Sequence, residues 1–175
     1  MKLRALCCAL CALLLGGCAS QQAPEPSPSP SPSPAAVSVS PWYTTGKGDY
    51  VQGGFSVELP QEWQEHAVWE TDETDTTYAL SFYEPNSREA GTGGWLFSLL
   101  AIPTDLDYTE YPDYQLVGIL TTEDGFVENL VAIYPTDVEF TEEYAELFSS
   151  LTDQIPDIIA TVDATEGYTF QRVGE

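Results

Sequence analysis

From Phe55 to Leu59 apolar and polar side chains alternate, with Phe55, Val57 and Leu59 on one side and Ser56 and Glu58 on the other. A period of two predicts a half-buried β-strand, and Pro60 ends it. Tyr78, Leu80 and Phe82 form a second such run, stopped at Pro85-Asn86. In "GGWLFSLLAIP" Trp95, Phe97 and Leu99 fall on one face and Leu96, Leu100 and Ile102 on the other. Both faces are apolar, which predicts a central strand. Between Tyr114 and Tyr134 two apolar runs flank Glu123-Asp124-Gly125. Asp-Gly between such runs predicts a hairpin, residues 115–121 pairing antiparallel with 126–134.

Beyond residue 140 the period changes. Tyr144, Leu147, Phe148, Leu151, Ile155, Ile158, Ile159 and Val162 recur at spacings of three and four, the stripe of an amphipathic helix. Thr141 suits the N-cap, and Glu142 and Glu143 complement the helix dipole in the first turn. Pro156 lacks an amide donor and crowds the carbonyl of Thr152, so it must kink or split the helix. The pattern predicts two helical pieces along one sheet face, then a short strand around Tyr168 to Phe170. The fold class is α+β: an antiparallel β-sheet with an amphipathic C-terminal helix packed on one face.

Upstream the composition divides the chain. Lys2 and Arg4 precede an uncharged segment, Ala5 to Leu15, too short to span a bilayer. This is the layout of a secretory signal. Leu15-Gly16-Gly17-Cys18 resembles the bacterial lipobox, which implies cleavage before Cys18 and a lipid anchor on its thiol, with acyl chains such as palmitate holding the protein to the membrane. Ordinary secretory cleavage near Ala19 is the alternative. "PEPSPSPSPSP", residues 24–34, follows. Alternating proline fixes φ and removes donors, so the tract is expected to be an extended, disordered spacer reaching about 50 to 60 Å. The expected organisation is a lipoprotein signal peptide at 1–17, a lipidated cysteine and Pro/Ser-rich linker at 18–41, and one acidic globular domain at 42–175.

Charge narrows the chemistry. The chain holds 5 Lys+Arg against 28 Asp+Glu. Lys2 and Arg4 leave with the signal, so three cations face 28 acids, a formal −25. Nucleic-acid binding needs a basic footprint, which is absent. Repulsion from anionic lipid leaves attachment to the anchor alone, and a basic protein or envelope component becomes the natural partner class. Cys7, Cys8, Cys11 and Cys18 all lie in or at the end of the signal, which removes disulfide, CxxC and cysteine-nucleophile chemistry from the domain. His66 is the only histidine, and neither GxSxG nor HExxH occurs, so no catalytic residue is nominated and a noncatalytic module is expected. "QEWQEHAVW" puts His66 on a solvated strand edge. "TDETDTT", residues 71–77, reads as a charged hairpin loop, and Gly91, Gly93 and Gly94 as a turn before a strand. In "DLDYTEYPDY" Asp105, Asp107, Glu110 and Asp113 stand among three tyrosines. Clustered hard oxygens suit Ca²⁺, although EF-hand spacing is not met. A Ca²⁺-dependent ligand-binding module using loop 105–114 is therefore the alternative; a solvated connection with core-capping tyrosines is the simpler account.

"GFSVELPQEW", Gly54 to Trp63, is similar to the opening of PsbP-like domains, a first strand running into proline and then tryptophan. The later order, Gly-Gly strand, hairpin, "YPTDVEF" (residues 134–140) and amphipathic helix, looks like secreted Firmicutes surface lipoproteins associated with that fold. The resemblance implies a PsbP-like α/β sandwich over most of residues 50–163. Known members are noncatalytic, among them an extrinsic photosystem subunit that helps retain inorganic ions and a regulator that binds the small GTPase Ran. No functional residue of theirs has a counterpart here, so neither activity carries over.

Overall fold

The alternation at 55–59 forms a strand, the fourth among the described residues rather than the first. The computed structural model describes residues 35–39, 42–44, 50–52, 54–74, 77–137 and 139–174. The signal segment, Cys18, the Pro/Ser run to Pro34 and Lys47 lie outside them. In chain order the elements are β1 (Ala35–Val39), β2 (Trp42–Thr44), β3 (Tyr50–Gln52), β4 (Phe55–Leu59), α1 (Gln61–His66), β5 (Val68–Glu73), β6 (Tyr78–Tyr83) and α2 (Pro85–Glu89). Then come β7 (Trp95–Pro103), β8 (Tyr114–Thr122), β9 (Val127–Ile133), a 3₁₀ turn (Glu142–Tyr144), α3 (Ala145–Asp153), α4 (Ile155–Ala160), β10 (Asp163–Ala164) and β11 (Tyr168–Arg172). All belong to one compact unit, Pro32–Glu175.

Six strands form an antiparallel sheet in the order β11-β8-β9-β7-β6-β5, with β7 in the interior as its apolar sequence requires. A second antiparallel sheet has the order β1-β4-β10, and β2 and β3 form a separate pair. The architecture is thus α+β, two antiparallel sheets with a bent C-terminal helix. One core joins them: Phe55, Val57 and Leu59 of β4 share it with Leu80, Phe82, Phe97, Leu99, Leu120 and Leu130 of the large sheet and with Phe148, Leu151, Ile155 and Ile158 of the helix. Each such side chain stabilises by about 1.5 to 3 kcal/mol through burial. Trp63 of α1 is fully buried and meets Phe82 and Phe97 edge-on at 5.5 and 5.8 Å. The opposite face of the large sheet carries a smaller cluster, Leu100, Ile102, Val131 and Ile133.

Several expectations change. β1 falls inside the stretch assigned to the linker, pairing with β4 from Ala35↔Leu59 to Val39↔Phe55. The proline alternation stops at Pro34; Ala-Ala-Val-Ser-Val restores the amide donors and branched side chains that a ladder needs. The folded region therefore begins before residue 42. His66 ends α1, exposed, instead of lying on a strand edge, because Pro60 at φ −56° presets the turn into Gln61–His66. Trp95 does not share a face with Phe97. The register with β6 slips from Phe82↔Phe97 to Tyr83↔Trp95, a bulge that puts Leu96 into the main core and Trp95 against the smaller cluster. Residues 71–73 of the expected charged loop continue β5, Thr74 N–H donates to the Thr77 carbonyl at 2.8 Å, and residues 75 and 76 lie outside the described residues.

The hairpin and bent helix form as the pattern requires. β8 and β9 pair from Tyr114↔Ile133 to Thr121↔Val127, and Gly125 takes a φ of 86° in the connecting turn. The helix divides at Gln154, two residues before Pro156, and Ile155, Ile158 and Ile159 stay in phase with Phe148 and Leu151. Thr141 precedes the 3₁₀ turn without capping it through its side chain; its hydroxyl instead pairs with that of Thr92 at 3.0 Å.

Candidate functional site

The helix break opens a cleft of about 680 Å³ over the end of the large sheet. Leu96 of β7 forms part of its wall, with Phe148, Ile155 and Pro156 of the helical pieces and Tyr134-Pro135 after β9. Phe140 closes one side, 38% exposed, its ring stacked on Phe148 at 5.3 Å and 30°. Beyond Phe140 lies a second depression of about 430 Å³, lined by Gly91, Thr92 and Glu139. Asp113 and Asp153 line the first cleft, and among the described residues no lysine, arginine or histidine lines either one. Thr152 is internally engaged, its hydroxyl donating to the Phe148 carbonyl at 2.8 Å.

The glycine turn fixes Phe140. Gly94 N–H donates to the Glu139 carbonyl at 2.9 Å, and Thr141 N–H donates to Ser87 Oγ at 3.0 Å, so bonds flank Phe140 on both sides. Gly94 sits at φ +70°, and a Cβ there would stand 2.6 Å from the Glu84 carbonyl oxygen; only glycine fits. Glu84 supports the same corner. It is fully buried, accepting from Asn86 N–H at 2.9 Å and Nδ2 at 2.7 Å through Oε1, and from Ser87 N–H at 2.7 Å through Oε2. Burial alone would raise its pKa, but the Ser87 and Asn86 donors hold it below the usual carboxylate value.

A second buried carboxylate lies elsewhere in the core. Glu128 of β9 is 3% exposed. Tyr78 Oη donates to its Oε2 at 3.1 Å, and Tyr168 also engages it. Burial pushes its pKa up from 4.5 to about 7, against the opposing effect of the two phenols. Tyr134, beside the cleft, is raised by burial and then by the charge of Asp113, and its phenol donates to Gln115 Oε1 at 3.0 Å.

The acidic loop does not gather its carboxylates. Asp105, Asp107, Glu110 and Asp113 are all exposed, and among the described residues no three His, Cys, Asp or Glu side chains converge to hold a metal ion. Asp107 Oδ1 is taken by Thr109, accepting from its N–H at 2.8 Å and its hydroxyl at 2.6 Å, which lowers the Asp107 pKa. Tyr108 and Tyr114 meet edge-on at 5.4 Å, and Tyr108 packs against the smaller core cluster. Asp113 alone of the four reaches the cleft.

Phe140, Glu84 and Glu128 were not singled out from the sequence pattern. Glu128 was detectable by parity, because in "FVENLVAI" it falls in step with Leu130 and Ala132, both core-facing. Phe140 has no such signature. No family model, curated protein or solved structure matches the chain. The class defined by fold and site is an acidic α+β domain with an apolar cleft at its helix break.

Proposed function

We propose that this chain is a lipoprotein anchored through Cys18 on the extracytoplasmic face of a bacterial membrane, and that its PsbP-like acidic domain is a noncatalytic binding module. The observation that carries the binding role is the cleft of about 680 Å³, mostly apolar and edged by Asp113 and Asp153. Its size and lining are those of ligand sites, which combine an apolar bed with a few polar groups. The tether supports the same role: lipobox, then a Pro/Ser spacer, holds a domain away from the bilayer where it meets envelope components. Among the described residues no helix is long and apolar enough to cross a membrane.

The anchor and the module have separate tests. Cys18→Ser should move the protein from the membrane pellet to the soluble fraction, and unchanged pelleting would refute lipidation at Cys18. The immobilised full-length chain should retain an envelope component at low salt and release it at high salt, as an acidic surface requires. Retention of nothing salt-sensitive counts against a basic partner.

A further inference from the structure

We propose that the cleft binds a small amphipathic cation, its apolar body seated against Phe148, Ile155 and Phe140 and its ammonium or guanidinium group beside Asp113 and Asp153. The inference rests on the binding-module reading and names the ligand class for it. Volume sets the scale: about 680 Å³ falls within the range of small-molecule pockets and holds a ring with a short chain. The lining sets the body, because burying apolar surface there gains about 25 cal/mol per Å² and polar bodies lose their water without replacement donors.

Charge sets the rest. Asp113 and Asp153 stand at the cleft, and Glu139 across Phe140, with no basic residue lining it among the described residues. An anion would meet carboxylates and, among the described residues, no compensating cation. The two arginines among the described residues are already engaged. Arg88 lies 2.6 Å from Glu70 and over the Tyr83 ring at 3.9 Å; Arg172 donates to the carbonyls of Ile159 and Ala160 at the end of α4 and of Val162 just beyond it. Among the described residues no cation is left to answer these carboxylates, and a cationic ligand would supply that charge. Phe140 adds an aromatic wall for the apolar body, and the bonds at Glu139 and Thr141 hold it in place before binding. The loop bearing Asp113 is tied to the same wall, its carbonyl accepting from Tyr134 N–H at 3.1 Å.

The test compares three probes of one shape on the full-length chain: 4-phenylbutylamine, the neutral 4-phenylbutanol and the anionic 4-phenylbutyrate. Amide NMR should show saturable shifts with the amine at Tyr134, Phe140, Phe148 and Ile155, about tenfold weaker binding of the alcohol, and none of the acid. Asp113→Asn with Asp153→Asn should bring the amine down to the alcohol's affinity at unchanged Tm, and Phe140→Ala should weaken it where Phe140→Tyr does not. Equal binding of amine and alcohol overturns the cation assignment. Shifts confined to residues 105–111, or binding of a lysine-rich peptide without the amine, overturn the cleft as a small-cation site and leave the binding-module reading standing. Failure of the amine together with loss of all salt-sensitive capture removes both.

Discussion

Glu84 and Glu128 present the same carboxyl group to two corners of one core, 0% and 3% exposed, and the two corners treat it in opposite ways. Around Glu84 the chain turns so that two backbone amides, a carboxamide and a hydroxyl converge on both oxygens, and their donors outweigh the burial that would raise its pKa. Around Glu128 two phenols are all that oppose burial, and burial wins. The ionisation of each carboxyl follows the balance of burial against donors, and the Ser87 and Asn86 donors tip that balance at Glu84. Glu84 is a fixed anion that organises α2 and the glycine turn, and through them Phe140. Glu128, its pKa raised to about 7 by burial, is not among the residues that line the cleft at the helix break.

The largest effect expected from this contrast is the pH dependence of stability owed to Glu128. Its folded pKa is about 7 against an ordinary 4.5. Between those values the folded state holds a proton that the unfolded chain has released, so stability falls as pH rises through the window and levels off above it. The total is about 3 kcal/mol at about 1.4 kcal/mol per unit. Glu128→Gln should flatten this slope and be more stable than the parent at pH above 7, measured by urea midpoints in high salt to screen the acidic surface. Parallel profiles for parent and variant would break the contrast at this end.

Glu84→Gln tests the other end with a smaller effect and the opposite sign. A lowered folded pKa gives stability that is present above the ordinary value of 4.5 and lost as pH falls through the folded one. The variant should cost about 1 kcal/mol at neutral pH, the scale of a helix cap, and should soften the acid-side loss. Because Glu84 braces the turn behind Phe140, the same variant should weaken amine binding in the cleft while leaving the Glu128 slope intact. An unchanged acid limb would show that the anion at Glu84 contributes nothing to folding.

How far these features were legible in the sequence follows from their range along the chain. The β8–β9 hairpin is set by neighbours: Asp124-Gly125 and two alternating runs suffice. The helix break at Pro156 is equally local. The fold class of antiparallel sheet with a bent helix follows from such pieces, whereas the PsbP-like resemblance rests on short structural motifs. β1 was hidden by the prolines before it, since its ladder depends on a partner strand near residue 57. The bulge that turns Trp95 away from Phe97 depends on the register with Tyr83, which alternation within β7 does not express. The cleft is the most distant case. Leu96, Asp113, Tyr134, Phe140 and Ile155 meet only after the sheet closes and the helix folds across it. For the acidic loop the sequence showed four carboxylates close in number, and the structure leaves them apart, with Asp107 satisfied by Thr109.

The finest distinction concerns the Tyr78 phenol. If it donates to the ionised carboxylate of Glu128, as its 3.1 Å contact with Oε2 implies, it stabilises the charged form and partly offsets burial. Tyr78→Phe should then raise the Glu128 pKa further above about 7, by about one unit or less, at a cost near 1 kcal/mol in stability. The pH window over which stability falls would extend upward by the same amount. A ¹³C titration of the Glu128 carboxyl reads this directly. A fall in pKa would mean that the phenol accepts from the protonated acid instead, favouring the neutral form, and the donor explanation for the difference between Glu84 and Glu128 would no longer hold at Tyr78.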